Sequence, residues 1–324
     1  MGIFQLTGNL DTPFGALDKQ ELRSGALAKM LDVLRESDVA GHVLIPQLLK
    51  IPTVSFVSMY LEVEPKWYGL NEDLVLVGKY KSESEAQESG VTFVKRTPFH
   101  DFFALYNNMN ALGEFQRIED AFNAVLRDHA RLMEALGDDA EFLVDLAVYG
   151  QIAVESNWEA NARGMWQITD VMIEDLIECY DEYAKKSDID KKDMVLSTTA
   201  VVDYYARMYS WFGSKCEKVA DYYGLNPRDF LIPCLLSAYN CGPVRMNQIL
   251  DLFIEMMEEG LFEGIEGQEV YNQMSRMYFE DGEDVHYGVD ERYYFYKIQA
   301  LAGLMNLQIS GYDVSQFRED LSIE

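Results

Sequence analysis

The sequence predicts a mainly α-helical protein: a helical domain over residues 141–324, preceded by a smaller α+β accessory domain over residues 1–140. Three observations carry this reading. The 324 residues correspond to about two domains at the usual ~150 each. Apolar residues make up 48% and charged residues 25%, the balance of a chain that buries a large core without staples. The hydrophobic spacing then changes near residue 140, from mixed to almost wholly helical.

In the first half, Ala26–Leu34 has helical periodicity and strong helix formers. Thr53–Val63 follows Pro52 and is rich in β-branched and aromatic residues, which predicts a strand. Leu74–Tyr80 and Val91–Val94 read as short strands, and the polar, acidic stretch Lys81–Gly90 between them reads as an exposed loop. From Phe102 to Leu136 the pattern is helical and ends near Gly137. No chemical motif is found in this half.

In the second half, Phe142, Leu143, Leu146, Tyr149, Ile152 and Ala153 fall on one helical face. Val171–Tyr183 and Thr198–Phe212 repeat the period. Phe230–Leu252 is a long apolar helix that Gly242-Pro243 must break or kink. Lys185–Asp193 is a charged linker. Its Asp188, Asp190 and Asp193 have a calcium-like DxDxxD spacing, but Lys192 takes the third ligand position and no glycine follows, so an EF-hand fails.

Charge excludes several functions. Basic residues number 27 and acidic residues 55, a net charge of -28. Such a surface repels phosphate backbones and anionic bilayers, so neither nucleic acid nor stable membrane insertion is expected. Cys179, Cys216, Cys234 and Cys241 show no CxxC spacing, and the four histidines stand apart, so no zinc site is expected. GxGxxG and GxxxxGK[ST] loops are absent. The longest uncharged windows, Phe230–Val244 and Ile298–Tyr312, fall short of the ~18 residues a span needs. The N-terminus has no basic and apolar run of a Sec signal, and Leu6 breaks the myristoylation pattern.

Four clusters in the second half carry chemistry. Glu155 follows a buried helical face and precedes a polar stretch in Val154-Glu155-Ser156-Asn157-Trp158. A carboxyl at the end of a buried helix loses water, which raises its pKa and equips it to donate a proton. In Arg163-Gly164-Met165-Trp166-Gln167, Gly164 permits a tight turn and Gln167 offers a donor and an acceptor. Trp158 and Trp166 offer flat faces to sugar rings, with core packing the favoured role for Trp166. Tyr239 and Asn240 end a helix just before Gly242-Pro243, and Glu291–Ile298 is an aromatic-rich helix start.

Together these clusters resemble the lytic transglycosylases, peptidoglycan-cleaving enzymes with a goose-lysozyme-like catalytic domain. Glu155-Ser156 is similar to the family's catalytic Glu-Ser pair, and Gly164-Met165-Trp166-Gln167 to its Gly-Leu-Met-Gln motif. LLSAYNCGP, residues 235–243, is similar to ALAAYNAGP, and DERYYFYKI to ETRxYVxKV. The last match puts Tyr294 on the family's late tyrosine, with Tyr293 the alternative one register earlier. The resemblance covers roughly residues 140–306. It implies a lysozyme-like helical domain that cleaves the bond between N-acetylmuramic acid and N-acetylglucosamine, leaving a 1,6-anhydromuramoyl end. Glu155 would be the single acid and base. Ser156 and Asn240 would orient the substrate acetamide or the Glu155 carboxyl. Tyr239 and Tyr294 would shape the cavity, and Gln167 with the backbone near Met165 would contact the sugar. No cofactor or metal is implied.

The partner is then a peptidoglycan glycan strand, met at the bacterial cell wall after phage delivery or export by a dedicated route. The interval between Ser156 and Gly164 is shorter than the family commonly carries, which implies a shorter cleft-lining loop. Two alternatives stand beside this reading. One is a hydrolytic muramidase on the same fold, needing a second carboxylate among Glu159, Asp170 and Asp175. The other is a catalytically weak lysozyme-like module of a virion or secretion machine, engaging its partner through residues 1–140.

Overall fold

The computed structural model describes residues 11–12, 15–16, 66–70, 76–80, 82–96, 113–156, 163–180, 183, 191–277 and 294–309. These residues are mainly helical. The expected helix at Ala26–Leu34 and strand at Thr53–Val63 lie outside them, as do Trp158, Glu159, Asp188, Asp190 and Tyr293.

The strands are few and short. β1 (Asp11–Thr12) and β2 (Gly15–Ala16) form a minimal antiparallel pair. β3 (Lys66–Leu70), β4 (Leu76–Tyr80) and β5 (Thr92–Arg96) form an antiparallel sheet in the order β4-β3-β5. β4 and β5 fall where strands were expected, whereas β3 was not foreseen. Trp67 on β3 meets Phe93 on β5 edge-on, with ring centroids 5.5 Å apart. The segment expected as a loop between β4 and β5 holds a helix instead, α1 (Glu83–Glu88). The Ser82 hydroxyl caps it by accepting from the Glu85 amide at 3.2 Å, and only Ala86 of this helix is buried. The stretch is exposed as its polarity required, but a serine cap before Glu, Ala and Gln is also a helix start.

The helical part opens with α2 (Glu114–Asp128) and α3 (Ala130–Leu136), which break at His129. Helical backbone then runs from residue 140 to residue 156 as α4 (Ala140–Asp145), a π-helical segment (Leu146–Gln151) and α5 (Ile152–Ser156). α6 (Asp170–Cys179) is capped by Thr169, whose hydroxyl accepts from the Met172 amide at 3.2 Å. Val171 therefore sits in an exposed first turn rather than on the buried face.

α7 (Met194–Tyr223) is the 30-residue axis of the molecule, and α2, α6, α8 and α9 pack on it. Asp193, the last acid of the calcium-like pattern, caps this helix by accepting from the Leu196 amide at 2.9 Å. α8 (Pro227–Cys241) is buried from Phe230 to Ala238, as a helix that is apolar all round must be. The expected break follows at Gly242, which has φ 85°, and Pro243 opens α9 (Pro243–Glu258) at a position where the missing N–H costs nothing. α10 (Gln268–Arg276) and α11 (Tyr294–Ile309) complete the fold.

One apolar core joins these helices. Phe115, Ile118, Phe122 and Leu126 of α2 and Leu132 and Leu136 of α3 share it with Leu143, Tyr205, Leu235 and Phe295. The core thus reaches back past residue 140 to residue 115. Among the described residues, no helix is long and apolar enough to cross a membrane.

A half-buried carboxyl on α4 makes this fold sensitive to pH. Burial, then the charges of Glu119 and Glu141, push Asp145 up to about 7. A folded pKa above the unfolded one means that the folded state holds the extra proton. Stability from this group is full below the unfolded value near 4 and is lost as pH rises through about 7. Asp145→Asn should therefore stabilise the protein at pH 8 by up to about 4 kcal/mol and change it little at pH 4, as read by urea unfolding at both pH values.

Candidate active site

The site is assembled from segments far apart in sequence. Glu155 stands near the end of α5, one turn after the π-helical segment. A π-turn carries an extra residue and re-aims the side chains that follow it, which is why such turns concentrate at functional sites. Within it, Gly150 touches α11 so closely that a Cβ there would fall 2.4 Å from the Ile298 carbonyl oxygen. Only glycine permits this crossing.

The crossing brings Tyr294, at the start of α11, onto Glu155, and the tyrosine hydroxyl donates to Glu155 Oε1. Burial pushes the Glu155 carboxyl up to about 7, against a downward pull from the Tyr294 hydrogen bond. A carboxyl poised there is an acid near neutral pH and a base once it has given its proton. Burial holds the Tyr294 phenol well above its usual range, so it remains a neutral donor.

A tight turn forms the next wall. Gly164 has φ 75°, and a Cβ there would fall 1.8 Å from the Lys191 carbonyl oxygen. Gln167 is the one non-glycine residue with positive φ among those described, at 53°. Its Nε2 donates to the Gly164 carbonyl at 2.7 Å, so the side chain closes its own turn, and this bond offsets the backbone strain. Trp166 is fully buried and donates from Nε1 to Thr198 Oγ1 at 3.0 Å, so it packs in the core rather than facing a ligand.

The third wall is the end of α8. The Tyr239 hydroxyl donates to the Trp166 carbonyl at 2.7 Å, tying α8 to the turn. The Tyr239 ring stands edge-on to Tyr204 of α7 at 6.1 Å. Asn240 follows, exposed, just before Gly242.

A cavity of about 250 Å³ lies between these walls. Glu155, Gln167, Tyr239 and Asn240, all expected at the site, line it. Tyr294 reaches the site through its bond to Glu155. Two further expected residues also stand apart from the lining. Ser156 turns its hydroxyl back to the Ile152 carbonyl at 3.2 Å, and the Met165 side chain is buried in the core. Four lining residues were missed: Arg163, Thr169, Met172 and Tyr204. A tyrosine on the apolar face of α7 was the available signal for Tyr204. Thr169 was legible only as a helix cap.

Glu155 is the single carboxylate among the described lining residues. Asp170 points to solvent and pairs with Lys191 at 2.6 Å, which holds its carboxyl below the usual range. Asp175 is half-buried beside Arg207, 3.7 Å from its guanidinium, and does not line the cavity. No group of three His, Cys, Asp or Glu among the described residues could hold a metal ion.

Compared with protein-family models, with curated proteins and with solved structures, the chain matches none.

Tyr294→Phe removes the one hydrogen bond that lowers the Glu155 pKa, so that pKa should rise above about 7. Carboxyl-detected NMR titration of the two proteins would measure the shift, and an unchanged midpoint would show that the pair is not formed. Gly164→Ala combines a left-handed φ with a backbone overlap and should cost at least about 3 kcal/mol in urea unfolding.

Proposed function

We propose that this protein is a peptidoglycan lytic transglycosylase with a lysozyme-like helical domain. One observation carries the reading: the cavity's single described carboxylate, Glu155, is held protonated up to about pH 7. Support also comes from the convergence of Glu155, Gln167, Tyr239, Asn240 and Tyr294, drawn from four separate motifs, at one place.

The chemistry follows from one group acting twice. Glu155 donates its proton to the glycosidic oxygen between N-acetylmuramic acid and N-acetylglucosamine, and the C1–O bond breaks. Positive charge then develops at C1 of the muramoyl ring, beside the new carboxylate. That carboxylate takes the proton of the muramoyl C6 hydroxyl as its oxygen attacks C1. A 1,6-anhydro ring closes and Glu155 is reprotonated, with no water consumed. Most glycosidases need two carboxylates, whereas this course needs one. Tyr294 holds Glu155 in place in both protonation states, and Tyr239 fixes the wall that faces it. Gln167 and Asn240 supply neutral amides for sugar hydroxyl and acetamide groups. A hydrolytic course would need a carboxylate to activate water. Neither Asp170 nor Asp175 lines the cavity.

Purified peptidoglycan digested with wild type should release anhydromuramoyl fragments, each lighter by one water than the hydrolysed form in mass spectrometry. Glu155→Gln should lower the rate by about 1,000-fold or more. Reducing-end products would instead mean a muramidase, and intact sacculi at every salt concentration would leave a binding module. Cleavage should fall as pH rises through about 7, because the acid is lost when Glu155 ionises.

A further inference from the structure

A fully buried polar side chain stands beside the acid without acting in the proposed cleavage. Gln151 ends the π-helical segment and is 0% exposed. Its Oε1 accepts from the hydroxyl of Tyr205 on α7, whose side chain is also fully buried. Its Nε2 is buried with no partner among the described residues. An amide satisfied at one end costs stability that an apolar residue of the same size would not. What the glutamine supplies is an acceptor for one phenol.

That acceptor lies next to Glu155. The backbone is α-helical from Ile152 to Ser156, so Gln151 and Glu155, four residues apart, are neighbours on one helical face. Three phenols stand within electrostatic reach of Glu155: Tyr294 of α11, Tyr239 of α8 and Tyr205 of α7. Arg163 is the one described cation of the cavity lining. Tyr294 is already bonded to Glu155, and Tyr239 is held by the Trp166 carbonyl in the turn that Gln167 closes. Tyr205 differs from both, because its hydroxyl is bonded to a neutral side chain one helical turn from the acid.

We infer that Tyr205 is a positioning residue with two acceptors: it rests on Gln151 while Glu155 is protonated and turns to the Glu155 carboxylate once that acid has given up its proton. The amide and the carboxyl compete for one O–H. A hydrogen bond to a charged acceptor is roughly twice as strong as one to a neutral acceptor. The carboxylate therefore wins when it forms, and the amide wins when Glu155 is reprotonated. Tyr205 keeps its own proton throughout, because burial holds the phenol well above its usual range. The donor thus reaches Glu155 only while negative charge is there. A group that bonds the charged state and not the neutral one lowers the barrier between them. The catalytic consequence rests on the transglycosylase reading above, whereas the exchange itself is a property of Glu155 in the free protein.

Carboxyl-detected NMR titration of Glu155 in the free protein tests the exchange. Tyr205→Phe deletes one oxygen and should raise the Glu155 midpoint by about one pH unit, because the ionised form loses a donor. Gln151→Met should lower the midpoint by about half a pH unit, because the protonated form loses the competing acceptor. The double variant should match Tyr205→Phe, since Gln151 acts only through the Tyr205 hydroxyl. Loss of packing would not move the midpoint in opposite directions. A Tyr205→Phe midpoint that is unchanged or lowered overturns the inference, and so does a Gln151→Met midpoint that is unchanged, raised, or shifted equally without Tyr205. If Gln151→Met does not fold, Tyr205→Phe decides by itself. Digestion of peptidoglycan separates the two readings. The alkaline limb of cleavage should follow each midpoint, and Tyr205→Phe should lower kcat by up to about 10-fold at unchanged KM. Midpoints that shift as expected in a protein that cleaves nothing would sink the transglycosylase reading and keep this one. Anhydromuramoyl release by wild type, with a Glu155 midpoint indifferent to Tyr205, would do the reverse.

Discussion

The contact on which the site depends is the one between the π-helical segment and α11. Gly150 lies where any side chain would strike the Ile298 carbonyl, so two helices meet at backbone distance. Two consequences follow from that crossing. It removes water from Glu155, and it brings the Tyr294 hydroxyl to the carboxyl that has lost its water. Burial pushes the carboxyl up, and the hydrogen bond from Tyr294 pulls it down. The opposition of the two sets a value near 7.

Around this pair the core is unusually rich in buried phenols. Tyr205 donates to Gln151, four residues before Glu155, and Tyr239 donates to the Trp166 carbonyl. Each phenol stays neutral because burial raises its pKa. Such groups act as spacers with one directed bond apiece, fixing α7 against the π-helical segment and α8 against the turn at Trp166 more sharply than aliphatic packing does. The cost is incomplete satisfaction. Gln151 Nε2 is buried with no partner among the described residues. A polar network in a helical core trades some stability for a single arrangement of the walls.

The strong acidity has little to do with this core. Among the described residues, most carboxylates are on exposed helix faces or at caps, such as Asp193 at the start of α7. Asp145 is different, because it is half-buried near Glu119, whose carboxylate accepts from Tyr149. It couples α2 to the helical stretch that carries Glu155, and it links the protonation state of the fold to the same pH range as the acid of the site.

Much of this was legible along the chain. The apolar spacing of Phe142–Ala153, the break at Gly242-Pro243 and the mainly helical class are local patterns, and local patterns survive folding. So did the candidate acid: Glu155 after a buried face already implied desolvation. Other features were not legible. α1 was hidden because an acidic, polar run is compatible with both loop and helix, and the Ser82 cap decided between them. Arg163 and Tyr204 became site residues only when Lys191 seated Gly164 and α7 turned one edge toward α8. Ser156 left the lining because its nearest acceptor, the Ile152 carbonyl, lies in its own helix. Periodicity determines which residues are buried, because it acts over a few neighbours. Which buried groups face one another depends on where helices cross, and a single glycine against a carbonyl 148 residues away set that here.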